Sequence, residues 1–216
     1  FQTVTQWGER ELALYGTAAI SYTTELNLAT ALVHAKFMNK SYFLGVSGLQ
    51  NYGLINDPSL SAALTPATKA ATETLWINAT PTEINADVQA MYSKLQLQLG
   101  GNLSLDSEMT LAMSPATEVF LLNTNSFGVS VKDLLKKNFP NMTIETAPEY
   151  STAGGNLMQL IVKQIDGIRT GFCGFTEKLR SHILVPALSS WAQKKSGGTW
   201  GVILKRPLAV AQMLGV

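Results

Sequence analysis

Between residues 24 and 44 the apolar positions recur with helical spacing and fall on two opposite sides of the predicted helix. One side carries Leu26, Ala29, Val33, Phe37 and Leu44. The other carries Leu28, Leu32, Ala35, Met38 and Tyr42. The polar stripes between them are Glu25/Lys36/Lys40 and Asn27/Thr30/His34/Ser41. A helix that is apolar on two sides is expected to be covered on both, by layers of its own domain or by a neighbouring domain.

A second helix is predicted from residue 81 by its start and stop signals. Thr80 and Glu83 form a capping box, and Pro81 stands at the first helical position. The glycine pair 100–101 ends the helix. Its apolar side is formed by Ile84, Val88, Met91, Leu95 and Leu99.

Strands are predicted before and after this helix. Residues 3–7 are a possible first strand, and a short periodic stretch then ends at Gly16. Residues 109–113 and 142–146 read as short strands, and 157–165 as a longer one.

Two further helices are predicted between these strands. One opens at Ser114 and Pro115 and runs through Leu122, and Ser130 caps another that ends before Pro140. The middle of the chain is therefore expected to be an α+β unit of about 90 residues with helices on a small sheet.

The rest of the chain is less regular. Residues 45–77 are rich in Gly, Asn, Pro, Ser and Thr, and this stretch is longer than most structureless connections in a compact domain. Such loops usually carry function or contacts. Near the C-terminus, 181–186 and 199–206 predict two strands joined by a turn at 196–198.

The low charge of the chain favours a protein that associates with copies of itself. Charged residues are 14% of the 216 residues, against about 25% in an average soluble domain. Surfaces covered by other copies need few charges, because burying an unpaired charge is costly. The net charge of +1 gives no general argument for nucleic acid. A locally basic stretch, 163–206, is more typical of a solvated face than of a binding patch.

The sequence lacks the motifs of the common enzyme classes. It contains no nucleophile elbow, phosphate-binding loop or dinucleotide fingerprint. His34 and His182 are interpreted as hydrogen-bonded structural residues, and Cys173 as a small buried one. Carboxylate pairs such as Glu83/Asp87 are ordinary for capped or solvated helices. We therefore predict no catalytic residue, no cofactor site and no metal site.

No stretch of 18 apolar residues and no signal peptide is present, so a soluble protein without a membrane span is expected. A single cysteine excludes a disulfide framework within the chain and fits a reducing compartment.

Several pieces of sequence occur in an order that resembles the major capsid proteins of tailed bacteriophages, of the Hong Kong 97 type, and more distantly the encapsulin shell proteins. Each piece is weak alone, and their order over nearly the whole chain carries the resemblance. They are the segment 7–11, a long helix ending at 42–45, a YGLxNxP loop at 52–58, Trp76 followed by 80–84, a strand-to-helix turn at Pro115, and a final strand with 205–207.

The resemblance implies an α+β fold with two domains. A peripheral domain would comprise residues 1–56, with the long spine helix, and residues 176–216, whose strands return to its β-sheet. An axial α+β domain would occupy about 57–175. Family members carry an N-terminal arm and an extended β-loop before the spine helix, and only the strand near 3–7 corresponds to them here.

The implied function is that of a structural shell subunit, not an enzyme. It would self-assemble into pentamers and hexamers of a phage or prophage icosahedral capsid, with scaffolding, portal or decoration proteins and weakly held packaged DNA as further partners. It would be made in the bacterial cytoplasm and reside in the virion. The alternatives are an encapsulin-type compartment and a small-molecule enzyme with a pocket under the 45–77 loop.

One hypothesis concerns the loop 45–58, which holds four apolar residues among turn-forming ones. We expect it to pack at the junction of the two domains and to set their relative angle, with Tyr52 as an anchor and glycines in its tight turns.

Overall fold

The computed structural model describes residues 1–18, 21–70 and 73–216. Its chain divides into two compact units. The first unit comprises Phe1–Asn56 and Cys173–Ile203, and the second comprises Asp57–Phe172 and Leu204–Val216.

Five α-helices and ten strands are formed by the described residues. In chain order they are β1 (Gln2–Gly8), α1 (Glu9–Thr17), α2 (Tyr22–Leu44), α3 (Pro81–Gln98), β2 (Met109–Met113), α4 (Pro115–Glu118), α5 (Val131–Asn138), β3 (Met142–Thr146), β4 (Ser151–Thr152), β5 (Gly155–Val162), β6 (Gln164–Ile165), β7 (Ile168–Arg169), β8 (Gly171–Ala187), β9 (Ser190–Leu204) and β10 (Val210–Leu214).

The first unit is built on a three-stranded sheet in the order β1-β9-β8. Strand β1 runs antiparallel to β9, from Gln2 opposite Ser196 to Gly8 opposite Ser190. The predicted long helix is confirmed as α2, which lies on this sheet. Its contacts include a hydrogen bond of 2.7 Å between Thr3 Oγ1 and His34 Nε2.

The prediction for the C-terminal strands is wrong in one respect. Residues 196–198 lie inside the long strand β9, and the chain reverses instead between Ala187 and Ser190. The two glycines allow close approach. A Cβ on Gly197 would lie 2.9 Å from the Lys178 carbonyl oxygen, and one on Gly198 would lie 2.2 Å from Thr176 Oγ1. The local glycine content predicted a turn. The glycines are needed instead because groups that are distant in the sequence lie close against them in the sheet.

The second unit contains a sheet in the order β10-β5-β2-β3, with β4 paired to β5. Strands β2 and β3 are parallel, and the other pairs are antiparallel. Helix α3 and the sheet enclose a continuous apolar core whose central side chains, such as Met91, Leu111 and Leu160, are fully buried. This arrangement confirms the predicted α+β unit.

The signals read from the sequence explain how α3 begins and ends. The Thr80 amide donates to a Glu83 carboxylate oxygen at 2.7 Å, and the Glu83 amide donates to Thr80 Oγ1 at 3.4 Å. Hydrogen bonds from Thr80 and from the Ala70 amide lower the pKa of Glu83 below its ordinary value. Gly100 and Gly101 follow the helix with positive φ. The capping box and the glycine stop are therefore confirmed.

The compact units do not follow all of the boundaries expected from the sequence. The last residues, Leu204–Val216, belong to the second unit, because β10 pairs with β5. The expected segment 176–216 is thus divided near Leu204. This boundary coincides with the end of β9.

Candidate functional site

The polar stripe of α2 faces the sheet of the first unit. Its members Thr30, His34 and Ser41 are the buried residues of this helix. The hydroxyl of Thr30 donates to the Leu26 carbonyl at 2.7 Å, and that of Ser41 donates to the Phe37 carbonyl at 2.8 Å. Because these groups satisfy their hydrogen bonds within the helix, they can be buried at little cost.

His34, which is buried, and Asn27, which is exposed, also contact the sheet. The imidazole of His34 is 2% exposed, and the Lys195 ammonium donates to Asn27 Oδ1. Desolvation is the main cause that lowers the pKa of His34, and the positive charges of the N-terminus and Lys195 add to it. His34 is therefore a neutral structural residue that holds α2 to the sheet, as interpreted from the sequence.

The apolar sides of α2 are consequently left open to solvent. Leu28 is 60% exposed, Leu32 55% and Val33 54%. Two-sided cover was expected for this helix. Neither side is fully covered by the described residues, because the polar stripe occupies the contact with the sheet. Exposed apolar side chains arranged along one helix are typical of an interaction surface.

The same pattern continues on the long β-hairpin. Strand β8 is an edge strand of the sheet, and its end carries the exposed side chains Ile183 and Val185, followed by Leu188 in the turn. His182 lies on this strand, where its Nε2 is 2.8 Å from Ser196 Oγ across the hairpin. His182 is thus hydrogen-bonded, which agrees with its structural interpretation.

A groove of about 520 Å³ lies between α2 and β8 and is lined mainly by apolar atoms, including those of Met38 and Phe175. Cys173 lines this groove and is exposed, so the prediction that it is buried is wrong. It stands on the edge strand β8. Desolvation by its apolar neighbours nevertheless raises the pKa of the Cys173 thiol, which disfavours a reactive thiolate.

The loop after α2 folds back on the end of this helix. The amides of Leu54 and Ile55 donate to the carbonyls of Tyr42 and Phe43 at 2.9 and 3.0 Å. Asn56 accepts from the Gly53 amide at 2.7 Å and donates to the Leu44 carbonyl at 2.7 Å. These bonds cap the helix within the first unit.

Gly53 and Tyr52 play different parts in this loop. A Cβ on Gly53 would lie 2.2 Å from the Phe43 carbonyl oxygen, so only glycine fits there. Tyr52 is 45% exposed, which makes it a weaker anchor than expected.

The second unit contains a buried polar cluster that the sequence analysis missed. Asp87 is 2% exposed and forms an ion pair with Lys69, whose side chain is also buried. The Trp76 indole donates to Asp87 Oδ2 at 2.8 Å, and the Ala67 amide donates to Oδ1 at 3.3 Å. Asp87 had been expected on a solvated helix face, and it is buried instead. It fixes the segment before α3 to that helix.

Two kinds of functional feature, a cluster of metal ligands and a membrane-spanning helix, are absent from the described part of the chain. Within residues 1–18, 21–70 and 73–216, no three His, Cys, Asp or Glu side chains converge as metal ligands. Over the same ranges, no helix combines the length and apolar character required to cross a lipid bilayer. The candidate functional features are instead the open apolar surfaces of α2 and the hairpin.

Comparison with solved structures identifies the fold. The capsid of Myoviridae phage XM1 is similar over 100% of this chain and 72% of that one, with a TM-score of 0.82 and 14% identity. The capsid of the native GTA particle gives a TM-score of 0.63 and 14% identity over 100% of this chain and 72% of that one. The holo-SrpI encapsulin complex from Synechococcus elongatus gives a TM-score of 0.55 and 11% identity over 99% of this chain and 72% of that one.

At these identities the similarities establish the fold, which is that of phage major capsid proteins and is shared by encapsulin shells. A search of curated protein sequences gives no match. The family comparison is more specific, because residues 1–215 match the family described as Pa193 gp26 major capsid protein. The chain therefore belongs to the Pa193 gp26 major capsid protein family.

Proposed function

We propose that this chain is a capsid shell subunit whose copies associate through the apolar surfaces of α2 and the β8–β9 hairpin to form pentamers, hexamers and an icosahedral shell. Membership of a major capsid protein family supports the class of function. The single observation that carries the mechanism is that α2 turns polar residues toward the sheet and apolar residues toward solvent. Its polar stripe is buried, whereas Leu28, Leu32 and Val33 remain exposed.

The energetic argument follows from the area that these side chains offer. Burying a leucine or valine side chain contributes about 1.5–3 kcal/mol relative to leaving it in water. Several such residues along α2 and the hairpin supply the core of an interface, and the low charge fraction of the chain limits the desolvation cost. One chain can close rings of different size when its heterologous contacts tolerate small changes in angle.

The first unit corresponds in this proposal to a peripheral domain and the second to an axial domain. Neither unit is assigned a catalytic, cofactor or metal-binding role. Scaffolding, portal or decoration proteins are expected as further partners, and packaged DNA would be held by weak non-specific contacts. The subunit would be made in the host cytoplasm and become part of the virion.

Mass photometry of the purified chain over a range of concentrations, combined with electron microscopy, tests this proposal. We expect five- and six-membered rings or closed shells. A monomer of 23.3 kDa at every concentration would contradict it.

An encapsulin-type compartment is a second candidate, favoured by the similarity to the SrpI encapsulin fold. The contents of shells isolated from the producing cells distinguish the two. DNA supports a phage capsid, whereas one abundant protein bound to the inner surface supports a compartment.

A further inference from the structure

The fold gathers four of the eight cations of the locally basic stretch at one place in the second unit. The Thr170 carbonyl accepts from the amides of Lys205 at 2.8 Å and Arg206 at 3.1 Å. The Thr170 amide donates to the Lys163 carbonyl at 3.1 Å, and Arg169 directly precedes Thr170 in the chain. Residues from two distant parts of the sequence therefore meet at one backbone junction. We refer to Lys163, Arg169, Lys205 and Arg206 as the basic patch.

The basic patch stands out against the charge of its own unit. The second unit contains nine Lys or Arg and eleven Asp or Glu, so nearly half of its cations lie at this one junction. Two carboxylates accompany them. Glu108 lines a depression together with Lys163 and Arg169, and Asp166 Oδ2 lies 3.8 Å from Arg206 Nη1. With four cations and two carboxylates, the patch keeps an excess of positive charge.

The ion pair between Asp166 and Arg206 is a weak one. The two side chains are 64% and 37% exposed, and ion pairs that are open to water contribute little to stability. Asp166 has a φ of 51° in the tight turn between β6 and β7, so the backbone sets its position. Arg206 can therefore exchange this carboxylate for a phosphate, to which a guanidinium donates two parallel hydrogen bonds.

The patch is spread over two neighbouring depressions of the surface. Lys163 and Arg169 line the first, which has a volume of about 410 Å³. Lys205 and Arg206 line the second, of about 430 Å³. The Lys205 ammonium lies 5.2 Å from the centre of the Phe172 ring, a cation–π contact that limits its freedom. Cations in two open depressions fit a ligand with several phosphates better than a single small anion.

We infer that the basic patch binds the phosphate backbone of duplex DNA without reading its bases. The backbone presents negative charges at short, regular intervals, and Lys or Arg side chains that neutralise them release condensed counterions. Contacts of this kind position the duplex and carry no sequence information. This inference rests on the proposed function, in which packaged DNA is a partner, and it names the residues that contact the DNA.

Paired substitutions test the patch through the salt dependence of DNA binding, measured by fluorescence anisotropy of a short labelled duplex. Four phosphate contacts predict a slope of about −3.6 for the logarithm of the binding constant against that of the salt concentration. Lys163→Gln with Arg169→Gln, and Lys205→Gln with Arg206→Gln, each remove two contacts and should halve this slope. The unfolding temperature should stay within about 2 °C of the parent, because these side chains lie outside the core. All chains are compared in the same assembly state, checked by mass photometry.

The matched control removes the same charge from another part of the second unit. Lys136 and Lys137 are exposed in the last turn of α5. Lys136→Gln with Lys137→Gln lowers the net charge as much as either patch variant does, and should keep the parent slope. Equal losses in the control and the patch variants would show that net charge alone governs binding, and would overturn the inference.

Asp166→Asn tests the competition at Arg206 and changes binding in the opposite direction. Asparagine also suits a left-handed backbone conformation, so the turn is kept. The variant should bind the duplex severalfold more tightly than the parent at the same salt concentration, because no carboxylate competes with the phosphate. Binding that is unchanged or weaker would contradict the inference, as would parental slopes in both patch variants.

Two further measurements identify the source of the phosphate. DNA binding should persist when inorganic phosphate replaces chloride at micromolar concentration and constant ionic strength. Displacement of the duplex under these conditions would assign the depressions to a free anion and overturn the inference. Binding of vesicles that contain phosphatidylglycerol, without binding of DNA, would assign the patch to lipid headgroups and overturn it as well.

The assembly of the parent chain separates this inference from the proposed function. A parent that assembles but does not bind DNA overturns only the inference. A parent that remains monomeric at every concentration overturns the proposed function, even where it binds DNA.

Discussion

The two units of the chain are stabilised in different ways. The continuous apolar core lies in the second unit, whereas Trp7 is the one large apolar side chain of the first unit that is buried among the described residues. The first unit is held by strand pairing and by polar contacts such as that between Thr3 and His34. A unit that keeps its polar residues inside and its apolar residues outside gains stability when other copies cover it. The second unit is therefore stabilised mainly by its own core, whereas the first unit presents exposed apolar side chains.

The largest expected effect is the loss of stability when the buried ion pair of the second unit is removed. Asp87→Ala leaves the Lys69 ammonium and the Trp76 indole buried without their acceptor. We expect the free energy of unfolding to fall by about 3–5 kcal/mol, measured by urea unfolding. Asp106→Ala removes an exposed carboxylate of the same unit and should change it by less than about 0.5 kcal/mol. Equal effects of the two variants would contradict the role of the cluster.

A pair of leucines compares the units directly. Leu160 is fully buried in β5, and Leu160→Ala should cost about 2–5 kcal/mol of subunit stability. Leu32 is 55% exposed on α2, and Leu32→Ala should change subunit stability by about 0.5 kcal/mol or less. Assembly followed by light scattering should nevertheless be weakened by Leu32→Ala. A Leu32 variant that unfolds like the Leu160 variant would show that the first unit has a core after all.

Signals carried by adjacent residues predicted much of the second unit. The capping box at Thr80 and the glycine stop at 100–101 fix α3 locally, and the strand 109–113 was found with its observed bounds. Contacts between distant residues were not predictable. Asp87 pairs with Lys69 across a segment without periodicity, and Gly198 adjoins Thr176. In α2 the helical period was correct. The buried side could not be predicted from hydrophobicity. Thr30 and Ser41 satisfy their hydrogen bonds within the helix, and His34 bonds to Thr3 of the sheet, which is distant in the sequence.

A smaller effect is expected at the loop that caps α2. Gly53→Val forces a side chain against the Phe43 carbonyl and should cost about 1–3 kcal/mol, with a parallel loss of assembly. Tyr52→Ala should cost about 1 kcal/mol, because the ring is 45% exposed. Gly16→Ala in α1, where an added Cβ meets nothing within 4 Å, serves as the control. Thermal unfolding of the three variants gives the comparison, and an unchanged Gly53→Val variant would contradict the close approach.

The smallest effect concerns pH. The pKa of His34 is lowered in the folded state, mainly by desolvation, from an ordinary value near 6.5. The unfolded chain therefore binds more protons as the pH falls below about 6.5, and the stability contributed by neutral His34 is full above that pH and lost below it. His34→Gln should flatten the dependence of unfolding free energy on pH between about 7 and 5. Identical slopes for parent and His34→Gln would oppose this account.

The central claim is that assembly covers the apolar surface which the first unit leaves open. Hydroxyl-radical footprinting of the purified chain before and after assembly measures this directly, because it reports the solvent exposure of individual side chains. We predict that oxidation of Leu28, Leu32 and Ile183 falls severalfold in rings or shells, while Leu160, already buried, stays protected in both states. Unchanged oxidation of all three exposed residues in fully assembled particles would contradict the claim.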